Sequence, residues 1–384
     1  MTGQPAPPHA DLAVHHDRDR HHDLDLHGDV VDLTRSLCDI ESVSGQEATL
    51  ADAVERALRA LSHLEVLRDG NAVVARTSLG RPERVVVAGH LDTVPVATLD
   101  GRRNLPTWTT GAGDDLVVHG RGTVDMKGGV AVQLAVAADV TDPVRDVTWV
   151  FYDCEEVEAE RNGLGRLARD HPDWLAGDFA VLCEPTDGTV EGGCNGTIRV
   201  EVRVTGVAAH SARAWMGDNA VHRAAAVLER LRAYQAQEVE VDGLRYRESL
   251  GAVGIRGGVA GNVVPDECVV TVNYRFAPSR TPQEAEAHLR ALFEGFEVTV
   301  TDCSPGARPG LDHPAAAAFV AAIGRAPQPK HGWTDVARFS AMGVPAVNFG
   351  PGDPQLAHKQ EEHVPVEHLQ RVEQQLRTWL GSAG

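Results

Sequence analysis

Several things are missing from this sequence, and each absence excludes something. The six cysteines, at positions 38, 154, 183, 194, 268 and 303, contain no CxxC pair. This scatter fits reduced thiols in a cytoplasmic protein better than a disulfide framework. No stretch approaches the ~20 apolar residues of a membrane span, and no apolar segment follows a basic start at the N-terminus. Positive charge is scarce: 36 Lys and Arg face 55 Asp and Glu, a formal net charge of −19. Such a surface repels nucleic acid and anionic membranes, so neither is expected as a partner. No internal repeat occurs.

At 384 residues the chain exceeds what one compact core usually takes, and two domains are expected. Residues 1–28 are a Pro, Asp and His mixture with too little apolar periodicity to pack, which predicts a disordered tail. Helical spacing of apolar residues follows in "DLTRSLCDI" and "QEATLADAVERALRAL". The runs "RVVVAGH", "VTWVFYD" and "FAVLCE" are continuously apolar, as expected of strands covered on both faces of an α/β sheet. Beyond Gly193 the pattern changes. "TIRVEVRV" alternates, placing Ile198, Val200, Val202 and Val204 on one face, and helix, two strands, helix and strand follow. The second of these helices opens with a capping box at Thr281, Pro282 and Glu284. A β-α-β-β-α-β unit of the ferredoxin-like type is therefore predicted over residues 194–304, inserted into an α/β domain made of residues 29–193 and 305–384.

Ligands in open α/β sheets bind beyond the carboxyl ends of strands. There the sequence offers His90 and Asp92 after one apolar run, Glu155 and Glu156 after another, and Glu184 after a third. "GRGTVDMKGG" adds Asp125 just before a helix, and "LAHKQEEHVP" adds His358. Each residue alone is most often a solvated loop side chain. Together they are too many for one cation, whereas two divalent ions bridged by a carboxylate and a water would use them all. Imidazole with carboxylate suits zinc, with cobalt or manganese as substitutes.

"GHLDTVP", "GRGTVDMKGG", "DCEEVE", "CEPT" and "AHKQEEHV" resemble, in order, the motifs of the dinuclear zinc amidohydrolases, which include succinyl-diaminopimelate desuccinylases, acetylornithine deacetylases and aminoacylase-type carboxypeptidases. The resemblance covers nearly all of residues 29–384. It implies His90 and Glu184 on one zinc, Glu156 and His358 on the other, Asp125 as the bridge, Glu155 as general base and Asp92 orienting His90. A cis peptide between Asp125 and Met126 is implied as well. So is a homodimer through residues 194–304, in which His210 reaches the active site of the partner. "GWTDVARF", "GNVVPDE", "NYRF" and "AVNFGPGD" look most like the desuccinylases, which implies substrate-carboxylate contacts from Thr334, Asn262 and Arg275. The expected substrate is a small dicarboxylic amide, N-succinyl-LL-2,6-diaminopimelate. "GGCNGTI" departs from the arginine pair common in desuccinylases, which leaves acetylornithine deacetylase and dipeptidase as alternatives. A metal-binding dimer without catalysis is disfavoured by Glu155.

Overall fold

The computed structural model describes residues 23–99 and 101–381. Residues 1–22 of the predicted tail lie outside this range, and the packed chain begins earlier than the sequence predicts. Leu26 is buried, Leu24 packs beside it, and the His27 ring lies 2.9 Å from Asp139. Two leucines spaced by one residue are too few to register as periodicity, yet they join a core that other elements build.

The larger sheet has eight strands in the spatial order Glu65–Asp69, Ala72–Arg76, Asp146–Tyr152, Arg84–His90, Phe179–Leu182, Ala346–Asn348, Glu191–Gly192 and Gln328–Pro329. It is mixed: Arg84–His90 runs parallel to both its neighbours, and Ala72–Arg76 pairs antiparallel with Asp146–Tyr152. Its central strands are buried along nearly their whole length, as their unbroken apolar runs require. Val85 and Val87 face the helices Val30–Asp39, Ala48–Arg59, Lys127–Asp139 and Val366–Gly381. Val86 and Ala88 face Gly163–Asp170 and Val336–Ala341 on the other side. Lys127–Asp139 is buried almost all round, which explains its lack of a polar face.

A second sheet of four antiparallel strands has the order Ser249–Gly257, Glu267–Phe276, Gly196–Thr205 and Glu297–Ser304. This is the order of a split β-α-β-β-α-β unit. Ile198, Val200, Val202 and Val204 are all buried on one face, against Ala220, Val227, Ala285 and Leu289 of the helices. The helical run after Asn219 comes in two pieces, Ala220–Arg223 and Ala225–Ala233. Pro282–Leu292 starts with the full capping box between Thr281 and Glu284.

Two features go beyond the elements expected from the sequence. The hairpin Glu238–Val241 with Leu244–Arg247 turns on Asp242 and Gly243, both at positive φ (48° and 82°), the Asp-Gly signal of a two-residue turn. Three short strands, Trp108–Thr110, Val117–His119 and His363–Pro365, form a small sheet of their own.

Candidate active site

His90 ends its strand at the carboxyl edge of the larger sheet, and the parallel neighbours bring Glu155, Glu156 and Glu184 to the same edge. Asp125 sits in the loop before the helix Lys127–Asp139, and the peptide joining it to Met126 is cis, as expected. Asp125 faces two histidines at once. Its Oδ1 lies 3.2 Å from His90 Nε2, and its Oδ2 lies 3.1 Å from His358 Nε2. His358 Nε2 is also 2.9 Å from Glu156 Oε1. The ligand atoms of His90, Asp125 and Glu184 lie within 4.8 Å of one another, as do those of Asp125, Glu156 and His358. Asp125 belongs to both sets.

Asp92 is fully buried and does more than orient one ring. His90 Nδ1 is 3.0 Å from the Asp92 carbonyl oxygen and 3.4 Å from its Oδ1. The backbone N–H groups of Glu155 and Glu156 donate to Asp92 Oδ1 and Oδ2 at 3.0 and 3.1 Å, and Ser44 Oγ donates to Oδ2 at 2.7 Å. One carboxylate thus fixes the histidine and the turn that presents both glutamates. Cys154, just before them, has φ 58°, a left-handed conformation that reverses the chain toward the cavity. Asp153 points away and pairs with Arg166 at 2.8 Å.

The charges are crowded. Burial pushes Glu184 up to about 7, with Asp125 adding repulsion. Burial likewise raises Glu155 well above the carboxylate range, with repulsion from Asp335, Glu184 and Glu156 partly offset by His90. Hydrogen bonds to Asp125 and Glu156 lift His358 to about 10. His90 is raised well above its usual value: burial opposes the charged ring, but Asp125 and Asp92 outweigh it. Two imidazoles and three carboxylates at these separations fit a pair of divalent cations, which would release the protons that the rings hold. The Glu155 carboxylate, like that of Glu184, accepts no hydrogen bond among the described residues, and together with Glu156 it lines two adjoining cavities of about 540 and 350 Å³.

Glu362 was not legible as a site residue. Its side chain is buried, with Oε1 accepting from the N–H groups of Gly122, Val124 and Asp125 at 2.9, 3.0 and 3.1 Å, and Oε2 lying 2.7 Å from Arg121 Nη1. It ties the segment that carries His358 to the loop that carries Asp125. Burial pushes it up to about 7 despite Arg121. Its position four residues after His358 was the one available signal. We expect Glu362→Ala to cost about 3 to 5 kcal/mol, since Arg121 would stay buried without its partner. The fall in denaturant midpoint measures this, and a loss under about 1 kcal/mol, typical of exposed pairs, would contradict it.

Thr334 is buried beside the smaller cavity and donates to Asn348 Oδ1 at 2.9 Å; Arg275 lines the larger cavity. His210 and Asn262 are not brought to the cluster. They lie side by side on the surface of the second sheet's unit, where Ser211 N–H donates to the Asn262 carbonyl at 2.9 Å, and neither lines either cavity.

The chain belongs to the peptidase family M20/M25/M40, whose model matches residues 86–380. Its members are metal-dependent hydrolases of amide bonds, and the metal-competent cluster of this chain lies inside the matched region. A Mycobacterium tuberculosis protein named provisionally as a succinyl-diaminopimelate desuccinylase, DapE, is 54% identical over 357 residues, 92% of this chain and 98% of its own. The succinyl-diaminopimelate desuccinylase of Corynebacterium glutamicum is 47% identical over 364 residues, covering 92% of this chain and 96% of its own. In fold, the chain is similar to a tripeptidase of Staphylococcus aureus, at 20% identity and a TM-score of 0.74, over 92% of this chain and 97% of that one.

Proposed function

We propose that this chain hydrolyses N-succinyl-LL-2,6-diaminopimelate to succinate and LL-diaminopimelate. The observation that carries the reading is Asp125, which turns one oxygen toward His90 and the other toward His358. The relatives' names supply the substrate. His90 and Glu184 would hold one zinc, Glu156 and His358 the other, with Asp125 shared between them and cobalt able to substitute. When bound, the two ions supply Lewis-acid polarisation of the amide carbonyl and lower the pKa of a water.

The remaining work belongs to side chains. The Glu155 carboxylate, which accepts no hydrogen bond among the described residues and lines both cavities, takes the proton from the water that attacks the carbonyl carbon. Glu155 then passes that proton to the leaving amine nitrogen. Asp92 fixes both the His90 tautomer and the backbone of the glutamate pair, so that base and ligand are aimed together. Arg275 and Thr334, which line the cavities, read carboxylates of the substrate, and Asn262, which lies beside His210 and lines neither cavity of its own chain, would do so only in the partner's site.

Residues 194–304 act as an inserted unit through which two copies pair, the partner's His210 then supplying a donor to the oxyanion. Supporting this, the edge strand Ser249–Gly257 and the segments beside it leave Val253, Ile255, Val259, Trp215 and Met216 exposed. No helix among the described residues is long and apolar enough to cross a membrane, and the six thiols are unpaired, which suits a cytoplasmic enzyme of lysine and diaminopimelate synthesis.

The test is a side-by-side assay of zinc-loaded protein on N-succinyl-diaminopimelate, N-acetylornithine and a dipeptide. We expect kcat/KM on the first to exceed the others by about 100-fold or more, because a buried site built for a charged group rejects analogues that lack it. Preference for N-acetylornithine or the dipeptide would overturn the substrate assignment.

A further inference from the structure

The face of the second sheet opposite its buried core carries two arginines, Arg199 and Arg275, that form no ion pair among the described residues, although Asp302 stands on the same face. In cross-strand register Thr197 faces Arg275 and Arg199 faces Asn273, so both guanidinium groups stand on the same side of adjacent strands. Like charges so placed repel, and each side chain is long enough to reach its diagonal neighbour. Arg275 is held below its usual pKa by burial and by Arg199, with Asp302 only partly offsetting them. Asp302 faces Arg199 from the next strand, but among the described residues neither arginine forms an ion pair with any acid. Arg275 Nε donates only to Asn273 Oδ1, at 3.2 Å. Most other arginines of the chain have an acidic partner, so this pair is out of keeping with the surface around it.

Both arginines line the larger cavity, of about 540 Å³, which shares Glu155 and Glu156 with the smaller one of about 350 Å³ that holds Asp125, Glu184 and His358. An amide cleaved at Glu155 therefore extends one arm into each cavity. We propose that Arg199, acting with Arg275, reads the carboxylate at the far end of the diaminopimelate arm. This rests on the desuccinylase reading of the same site. The longer arm of that substrate fits the larger cavity, and its amino-acid head carries both charge signs. The larger cavity offers both: the two arginines on the sheet, and Glu158 and Glu160 on the loop across from it. Two planar guanidinium forks around one carboxylate relieve their mutual repulsion only when the anion is present. Arg199 is thus a specificity-determining residue that binds substrate remote from the scissile bond.

The test compares wild type, Arg199→Gln and Arg199→Lys on N-succinyl-LL-diaminopimelate and on N-succinyl-L-lysine, which keeps the distal ammonium but lacks the distal carboxylate. Arg199→Gln is expected to lower kcat/KM on the first substrate about 10- to 100-fold, mainly through KM, the loss typical of a charge-assisted hydrogen bond. On N-succinyl-L-lysine it should match wild type. Arg199→Lys, which keeps the charge without the fork, should fall between. Comparing two substrates on one variant removes any effect of folded fraction. An equal loss on both substrates would place Arg199 at the succinyl carboxylate or in the sheet's structure, and no loss on either would remove it from binding; each overturns the proposal. A wild-type protein inactive on N-succinyl-diaminopimelate would overturn the desuccinylase reading itself, and this inference with it.

Discussion

Glu155→Gln is expected to lower kcat by at least about 10²- to 10⁴-fold, the contribution of a positioned general base, while the protein still binds its metals. The amide keeps the shape of the side chain but cannot take a proton. The structure makes the variant a clean probe, because the Glu155 carboxylate is no other group's hydrogen-bond acceptor among the described residues and its backbone N–H stays anchored on Asp92. Glu156→Gln should behave differently. Glu156 Oε1 lies 2.9 Å from His358 Nε2 within the ligand set shared with Asp125, so its loss should show first in metal content. Steady-state kinetics together with elemental analysis separate the two. A Glu155→Gln protein with wild-type turnover would remove the base assignment, and one that had lost a metal would turn Glu155 into a ligand.

The second large effect concerns His210. In a single chain it is exposed, its Nδ1 accepts from the Ala212 N–H at 3.1 Å, and it lines neither cavity. If a partner supplies it, His210→Ala alone should be nearly inactive, with a loss of about 10²-fold or more, as for removal of one oxyanion donor. Mixing that protein with Glu155→Gln should then restore activity. Half of freely exchanged dimers are mixed, and one of their two sites combines an intact Glu155 with the partner's His210, so recovery should approach about a quarter of wild-type sites. Native mass spectrometry checks that subunits exchange. Exchange without recovery would place His210 in its own chain's site or outside catalysis.

Much of the site was legible because the metal-competent side chains sit at the ends of apolar runs, and such runs are local. "VVVAGH", "VTWVFYDCEE" and "FAVLCE" show where strands stop, and the strand-end rule places the side chains just beyond them at one edge. The motif resemblance then ordered the ligands. The roles of Ser44, Arg121 and Glu362 were not legible, because a buried hydrogen bond between residues far apart leaves no periodicity behind. Glu362 reads as one more acid in "KQEEHV" until the fold lays three backbone N–H groups against it. Residues 23–28 depart from the expected tail for a related reason: Leu24 and Leu26 become core only through elements elsewhere in the chain.

By itself the sequence determined the α/β class, the split unit over the inserted region and the identity of the metal-competent side chains. Those follow from local spacing: period two for the alternating strands, unbroken apolar runs for the buried ones, glycines beside Asp125. Only the tertiary structure decided that each oxygen of Asp125 faces a different histidine, that Asp92 anchors both glutamates, and that Arg199 and Arg275 share one face without forming an ion pair among the described residues. These are relations between strands whose order in space differs from their order in the chain, and cross-strand register brings together residues that no window along the sequence contains.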